Sequence, residues 1–264
     1  MTELDIQGLR AIQLSLLDDV HEFCLKNGLR YSLCGGTMIG AVRHKGYIPW
    51  DDDIDLMMPR KDYDRFIKSY SSENNYLIDL SQETTCTEQF IKVCREGTKM
   101  VDLTTHRDSW GVNIDIFPID GLPESYKEYT DRLRRIHKTI MDICPYYKSM
   151  SGMTRFLWFI KYVLKRVIYF SPASIGSLKA KMNRIVHENL PENSPGATVI
   201  FGDFIIYYFP ANLFTEYEDV LFEGKQYRCI KDRHTYLSTV YKDYMQLPPP
   251  EKRVTHHRYD SYLL

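Results

Sequence analysis

The chain has 264 residues, 44% of them hydrophobic and 26% charged, with 34 basic side chains against 35 acidic ones. That is an ordinary globular balance; it excludes disordered, collagen-like and low-complexity classes and offers no basic footprint for broad nucleic-acid binding. A chain of this length buries a core without disulfides or metal staples.

The opening decapeptide, MTELDIQGLR, has acids where a leader would be basic, and no apolar stretch of the chain is long enough to span a bilayer. A cytoplasmic protein is the expectation. Leu9, Ile12, Leu16, Val20 and Phe23 recur at helical spacing and Asn27-Gly28 supplies a stop. A strand over 29–34 runs into Gly35-Gly36 and a helix over 37–42. A turn ending Gly46-Tyr47-Ile48-Pro49 leads to a strand over 53–58. Pro59 suits the first position of a helix carrying Tyr63, Phe66, Ile67 and Tyr70. Strands are expected over 76–80, 89–94 and 112–117, and helices over 123–144 and 173–190. The last part mixes strands over 198–201 and 226–230 with a helix over 235–245. Strands and helices are intermixed early and helices cluster in the middle, an α+β arrangement in one domain with a helical insertion. Cys24, Cys34, Cys86, Cys94, Cys144 and Cys229 form no C-x-x-C pair, so free, mostly buried thiols in a reducing compartment are expected.

The most informative stretch is Pro49-Trp50-Asp51-Asp52-Asp53-Ile54-Asp55-Leu56-Met57. Alternation along a strand would put Asp51, Asp53 and Asp55 on one face, with Asp52 and Ile54 on the other. Like charges about 4 Å apart repel by roughly 4 kcal/mol at an effective dielectric near 20, so the group needs compensation. A solvated acidic turn would supply it with water. A calcium loop of the EF-hand type fails, because Leu56 and Asp62 stand where Gly and Glu are required. A Mg²⁺ site serving a phosphate substrate is the third reading, and the apolar neighbours Ile54, Leu56, Met57 and Met58 favour it over the solvated turn. Upstream, the Gly35-Gly36-Thr37 turn lets backbone N–H groups approach an anion. Downstream, Asp115 lies between Ile114 and Ile116, and a metal shared with Asp53 and Asp55 accounts for all three acids.

A strand, Gly-Gly, a helix, an acidic strand and a later strand with one acid make the pattern of the nucleotidyltransferase superfamily. Within it, the string from Tyr31 to Thr37, then Gly40 to Gly46, then Ile48-Pro49-Trp50 and the acids, closely resembles the LicD family, phosphocholine transferases of bacterial surface glycans related to the fukutin group. The likeness extends to residues 114–121, Phe222-Glu223-Gly224, Asp243-Tyr244-Met245, Leu247-Pro248-Pro249 and Arg253 with His256-His257, and covers about residues 9–260. Where the family carries Gly before Asp243-Tyr244, this chain has Lys242. Residues 124–196 carry no motif of the family.

The resemblance implies a nucleotidyltransferase-like mixed sheet core over about 27–122, a helical insertion over about 123–196 and a closing segment over about 197–264. It also implies transfer of phosphocholine from CDP-choline to a sugar hydroxyl of a lipopolysaccharide or teichoic acid precursor, with CMP leaving. Ribitol- or glycerol-phosphate from another CDP-alcohol would use the same acids. By resemblance, Asp53, Asp55 and Asp115 are the catalytic and Mg²⁺-binding residues, with Mn²⁺ as the alternative ion. Asp115 completes the metal site or accepts the acceptor's proton. Asp51 lies beside them. Gly35, Gly36, Thr37, Arg43, His44, Lys45, Lys92, Arg253, His256 and His257 are candidates for binding the substrate, as against a solvated basic turn and a structural His pair; Arg95 is a weaker candidate. Choline calls for an aromatic cage, and Tyr47, Trp50 and Trp110 lie near the motifs.

Residues 155–170, RFLWFIKYVLKRVIYF, place Phe156, Ile160, Val163, Leu164 and Val167 on one helical face and Arg155, Lys161, Lys165 and Arg166 opposite. Two readings fit: a helix packed on the core, or an interfacial helix at the inner face of the membrane, in contact with a lipid-linked acceptor. Two rival functions complete the expectations: a sugar-nucleotide glycosyltransferase using an Asp-x-Asp motif, and a glycan-binding module without turnover.

Overall fold

The computed structural model describes residues 1–103, 107–108, 110–144, 160, 163–164, 175–201, 205–255 and 259–264. Its strands are β1 (Thr2–Glu3), β2 (Ser32–Leu33), β3 (Asp55–Pro59), β4 (Asn75–Asp79), β5 (Ile91–Arg95), β6 (Thr98–Asp102), β7 (Arg107–Asp108), β8 (Asn113–Leu122), β9 (Gly196–Val199), β10 (Phe209–Pro210), β11 (Tyr217–Phe222), β12 (Lys225–Ile230) and β13 (Tyr259–Leu263). Its helices are α1 (Ile6–Asn27), α2 (Gly35–Arg43), α3 (Arg60–Ser69), α4 (Tyr126–Ile143), α5 (Ile175–His187) and α6 (Arg233–Tyr241). The α+β class holds.

The main sheet is organised by β8. Its first half pairs antiparallel with β5, its second half antiparallel with β9, and β3 runs parallel to it on the other edge. β2 and β4 extend the sheet beyond β3 and β5, and β10 beyond β9. Strand β8 is buried at eight of its ten positions, as a central strand covered on both faces should be. Helix α1 lays Leu16, Leu17, Val20 and Cys24 into this core and ends at Gly28, whose φ of 61° is the left-handed stop expected of glycine. At the base of α3, Arg60 donates to both carboxylate oxygens of Asp120 on β8, at 2.7 and 2.9 Å, and both residues are buried.

Two smaller sheets flank this core. One runs β1-β13-β6-β7, bringing both ends of the chain beside β6; the other is the β11–β12 hairpin. The helical insertion has its own apolar cluster, in which Leu133, Ile136 and Ile140 of α4 meet Met182, Ile185 and Val186 of α5 over Leu122. Lys179 of α5 is fully buried and donates to the carbonyls of Leu80 at 2.6 Å and Glu88 at 3.0 Å, tying the loop between β4 and β5 to the insertion.

Several expectations need correction. The acidic stretch is not one strand: residues 51–54 precede β3, and only Asp55 belongs to it. Pro59 closes β3 and caps α3 instead of opening the helix. The strand over 29–34 shrinks to two residues because the Gly35 turn starts α2 at once. Strands β6 and β13 were not foreseen; they pair with each other and, on their outer edges, with β7 and β1. All six cysteines are free and buried, as expected. Of the apolar face over 155–170, the described members Ile160, Val163 and Leu164 are exposed instead of packed on the core, and the rest of that face lies outside the described residues. No helix among the described residues is long and apolar enough to cross a membrane.

Candidate active site

The site is assembled at the start of β3 and near the start of β8. Asp55 and Asp115 are register partners on these parallel strands, and Lys92 on β5 is the register partner of Asp115 from the other side. Lys92 Nζ donates to Asp115 Oδ1 at 2.5 Å and to Asn113 Oδ1 at 3.0 Å. Asp53 reaches the same place from the loop before β3. A cavity of about 560 Å³ opens over these residues, and its wall includes Asp52, Asp53, Asp55, Lys92 and Asp115. Asp52, expected on the far face, lines it because the backbone there is not extended strand. Asp51, Asp52 and Asp53 also approach one another closely enough to share an ion, as one carboxylate oxygen from each lies within 4.8 Å of the others.

Burial pushes the Asp55 carboxyl well above the ordinary carboxylate range, and the negative charges of Asp53, Asp115 and Asp51 push it the same way, while Lys92 opposes them. Lys92 itself is held above the ordinary lysine value: burial works against its charge, and the ion pair and hydrogen bond with Asp115 outweigh it. One lysine among this many carboxylates leaves a net negative centre.

The glycine pair has a reason more specific than a turn. A β-carbon on Gly35 would lie 2.6 Å from Asp55 Oδ2, and one on Gly36 would lie 2.6 Å from Asp51 Oδ2. Gly35 also adopts φ of 55°. The two glycines are therefore the seats of two carboxylates. Thr37 Oγ1 accepts from the N–H of Asp55 at 2.9 Å, and the N–H of Cys34 donates to the Asp55 carbonyl at 3.0 Å, fixing the strand's start. Two residues of α1 that carried no sequence signal of their own secure the acidic loop. Arg10 Nη2 donates to the carbonyls of Ile48 at 3.2 Å, Pro49 at 3.1 Å and Asp51 at 2.5 Å, and Gln13 Nε2 donates to that of Asp52 at 2.8 Å. A buried Gln on the apolar side of a helix was the available clue.

The basic turn lies elsewhere. Arg43 Nη1 donates to the carbonyl of Tyr244 at 2.8 Å and its Nε to His44 Nε2 at 2.9 Å; Lys45 Nζ donates to the Val42 carbonyl at 3.3 Å. Burial and the neighbouring Arg43 hold His44 below the ordinary histidine value, in keeping with an imidazole that accepts from Arg43. Glu223 joins this turn from the β11–β12 hairpin: its Oε1 accepts from the N–H of Tyr47 at 2.9 Å, and its own N–H donates to the Lys45 carbonyl at 2.9 Å. Arg43, His44 and Lys45 thus make a structural joint outside the cavity wall. Arg253 lies over the Trp50 ring at 5.7 Å and donates to the Pro248 carbonyl at 2.9 Å, also outside that wall. Arg95 pairs with Ser15 Oγ. His256 and His257 lie outside the described residues. Of the three aromatics, Tyr47 is buried under Arg10 and Trp50 meets Arg253, whereas Trp110 lines the cavity.

Comparison with known proteins agrees with this geometry. The LicD/FKTN/FKRP nucleotidyltransferase domain matches residues 28–139, the span that holds Asp53, Asp55, Lys92 and Asp115. Over 269 aligned positions the chain is 29% identical to the lipopolysaccharide cholinephosphotransferase LicD of Haemophilus influenzae, covering 100% of both chains. It is also 45% identical over 58 residues to an uncharacterized protein of Rickettsia prowazekii and to one of Rickettsia typhi, over 22% of this chain and 22% and 19% of theirs. The matched nucleotidyltransferase domain thus contains the whole carboxylate group, and the chain is similar from end to end to a LicD cholinephosphotransferase.

Proposed function

We propose that this chain is a phosphotransferase that moves phosphocholine from CDP-choline to a sugar hydroxyl of a lipopolysaccharide-type glycan, releasing CMP. The observation that carries the reading is the carboxylate group of Asp53, Asp55 and Asp115 at the wall of a cavity, in a chain matched along its whole length by a lipopolysaccharide cholinephosphotransferase.

The donor set fits a hard divalent cation. Ionised, Asp53, Asp55 and Asp115 carry three negative charges and Lys92 one positive charge, so a divalent ion balances the remainder. All the candidate ligands are carboxylate oxygens, the chemistry of Mg²⁺ or Mn²⁺. Bound there, the ion would neutralise phosphate oxygens and stabilise charge on the attacking and leaving oxygens of an in-line displacement. The chain's own residues do the positioning. Gly35 and Gly36 leave room for Asp55 and Asp51, Thr37 fixes the start of β3, and Lys92 orients Asp115 through its hydrogen bond.

The test is CMP release from CDP-choline, with Mg²⁺ and with EDTA, for wild type, Asp53→Asn and Asp55→Asn. CMP formed only with metal and reduced at least about a hundredfold in both variants supports the reading. Undiminished CMP release in EDTA or in both variants would sink it, as would CDP-glycerol or CDP-ribitol as the preferred donor. We also propose that the acceptor is lipid-linked and met at the membrane surface, because Ile160, Val163 and Leu164 expose apolar side chains within the cationic segment 155–170. Absence of co-sedimentation with anionic liposomes would remove that part.

A further inference from the structure

Among the described residues lining the cavity, seven are carboxylates and one, Lys92, is basic. Asp53, Asp55 and Asp115 belong with the proposed divalent ion; Glu83, Glu88 and Asp102 stand apart from it in sequence and strand. A wall built for phosphate alone would carry arginine or lysine. Carboxylates beside aromatic rings suit an organic cation.

One wall of the cavity is a face of the small sheet. Met100 and Asp102 are two apart on β6 and share that face. Tyr259 is the register partner of Asp102, and the N–H of Met100 donates to the carbonyl of Trp110 at 3.0 Å. The four residues make one surface of two aromatic rings, a thioether and a carboxylate. That surface is close to the phosphate-handling end: Asn113 Nδ2 contacts Met100 Sδ at 3.4 Å while Asn113 Oδ1 accepts from Lys92, which holds Asp115. Other candidate aromatics already face protein cations. Lys92 Nζ is 5.3 Å from the Phe90 ring, and Arg10 and Arg253 cover Tyr47 and Trp50. Among the described residues, no protein cation lies over the Trp110 ring.

We propose that this face seats the quaternary ammonium of the donor, and that Trp110 is the residue that selects choline over uncharged alcohols. The inference rests on the phosphocholine-transfer reading above. A quaternary ammonium has no N–H to donate, so recognition falls to an aromatic face and nearby negative charge.

Calorimetric titration in Mg²⁺ with CDP-choline, CDP-glycerol and CMP tests it on wild type, Trp110→Ala, Trp110→Phe and Asp102→Asn, each checked for an unchanged melting curve. Wild type should bind CDP-choline at least about tenfold more tightly than CDP-glycerol. Trp110→Ala should narrow that gap by about tenfold with CMP affinity unchanged, Trp110→Phe should keep part of it, and Asp102→Asn should weaken CDP-choline selectively. If Trp110→Ala fails to fold, the other two variants carry the test. Equal losses for both donors, or unchanged discrimination, would overturn the subsite and leave the transfer reading intact. A wild type that prefers CDP-glycerol, or binds neither donor, would overturn the phosphocholine reading and the subsite with it.

Discussion

Lys242 holds a backbone conformation that favours glycine. Its φ of 60° and ψ of −116° are those of the first central residue of a type II′ turn, a position dominated by Gly. A β-carbon held in so sparsely populated a region costs about 1–3 kcal/mol. Lys242→Gly removes that strain but gives the unfolded chain extra freedom, which returns about 0.5–1 kcal/mol. The side chain is exposed, so little contact is lost. The net expectation is a gain of about 1 kcal/mol, or about 2–4 °C in the thermal midpoint for a chain of this size. Urea and thermal unfolding of wild type, Lys242→Gly and Lys242→Ala measure it. The alanine variant keeps the β-carbon and removes the charge, so it should recover little of the gain. CMP release should be unchanged in both, because the turn's link to the site is the Tyr244 carbonyl that receives Arg43. If the glycine variant melts at or below wild type, or alanine stabilises equally, the strain argument is wrong.

Three further outcomes follow from the same reasoning. Gly35→Ala puts a β-carbon 2.6 Å from Asp55 Oδ2 at a φ of 55°, so CMP release should fall at least about tenfold at a stability cost of only about 1–2 kcal/mol; activity within twofold of wild type would refute the seat assigned to Asp55. Lys179→Met leaves the Leu80 and Glu88 carbonyls without their donor and should lower urea stability by about 1–3 kcal/mol; an unchanged midpoint would mean that water replaces the ammonium there. His187 Nε2 lies 2.8 Å from Asp64 Oδ2, which raises His187 above its unfolded value of 6.5, while His187 and Arg60 overcome burial to lower Asp64 below 3.8. The His187 share is fully present below 6.5 and fades as pH rises through its raised value, and the Asp64 share fades as pH falls below 3.8. Because the pair is substantially exposed, the difference in unfolding free energy between wild type and His187→Gln should stay under about 1 kcal/mol, be largest near about pH 5–6 and shrink by about pH 8; a difference flat across that range would refute the linkage.

What could be read from sequence was what local pattern decides. The 3.6-residue periodicity gave α1, and the Asn27-Gly28 stop fell in place because Gly28 takes the left-handed conformation at the helix end. The three acids were recognisable because carboxylates among Ile, Leu and Met are too costly to bury without a partner. The partner of Asp115 was not recognisable, since Lys92 reaches it only through the antiparallel pairing of β5 with β8, 23 residues away in sequence. For the same reason the bond from Arg43 to the Tyr244 carbonyl, 201 residues on, was not legible. Strands β6 and β13 escaped because each is a short, mixed segment paired with a strand far away in sequence.

Two sequence motifs therefore change meaning in the fold. Gly35-Gly36 reads as an anion cradle, yet in space it accommodates the carboxylates that would hold the cation. The string Phe117-Pro118-Ile119-Asp120-Gly121 reads as a continuation of the catalytic strand, yet Asp120 serves the buried Arg60 at the base of α3. Asp115 and Asp120 are five residues apart on one strand and differ in partner: a lysine shared with the cavity in one case, a fully enclosed guanidinium in the other. Removing Asp120 would leave the buried Arg60 with only Asp64, 3.7 Å away, to balance it, a defect of about 3 kcal/mol in folding. Removing Asp115 would free Lys92 at a cavity wall that water reaches, a defect chiefly of chemistry. The same residue type, a few positions apart, thus takes a structural place or a place on the cavity wall according to which strand or helix lies beside it.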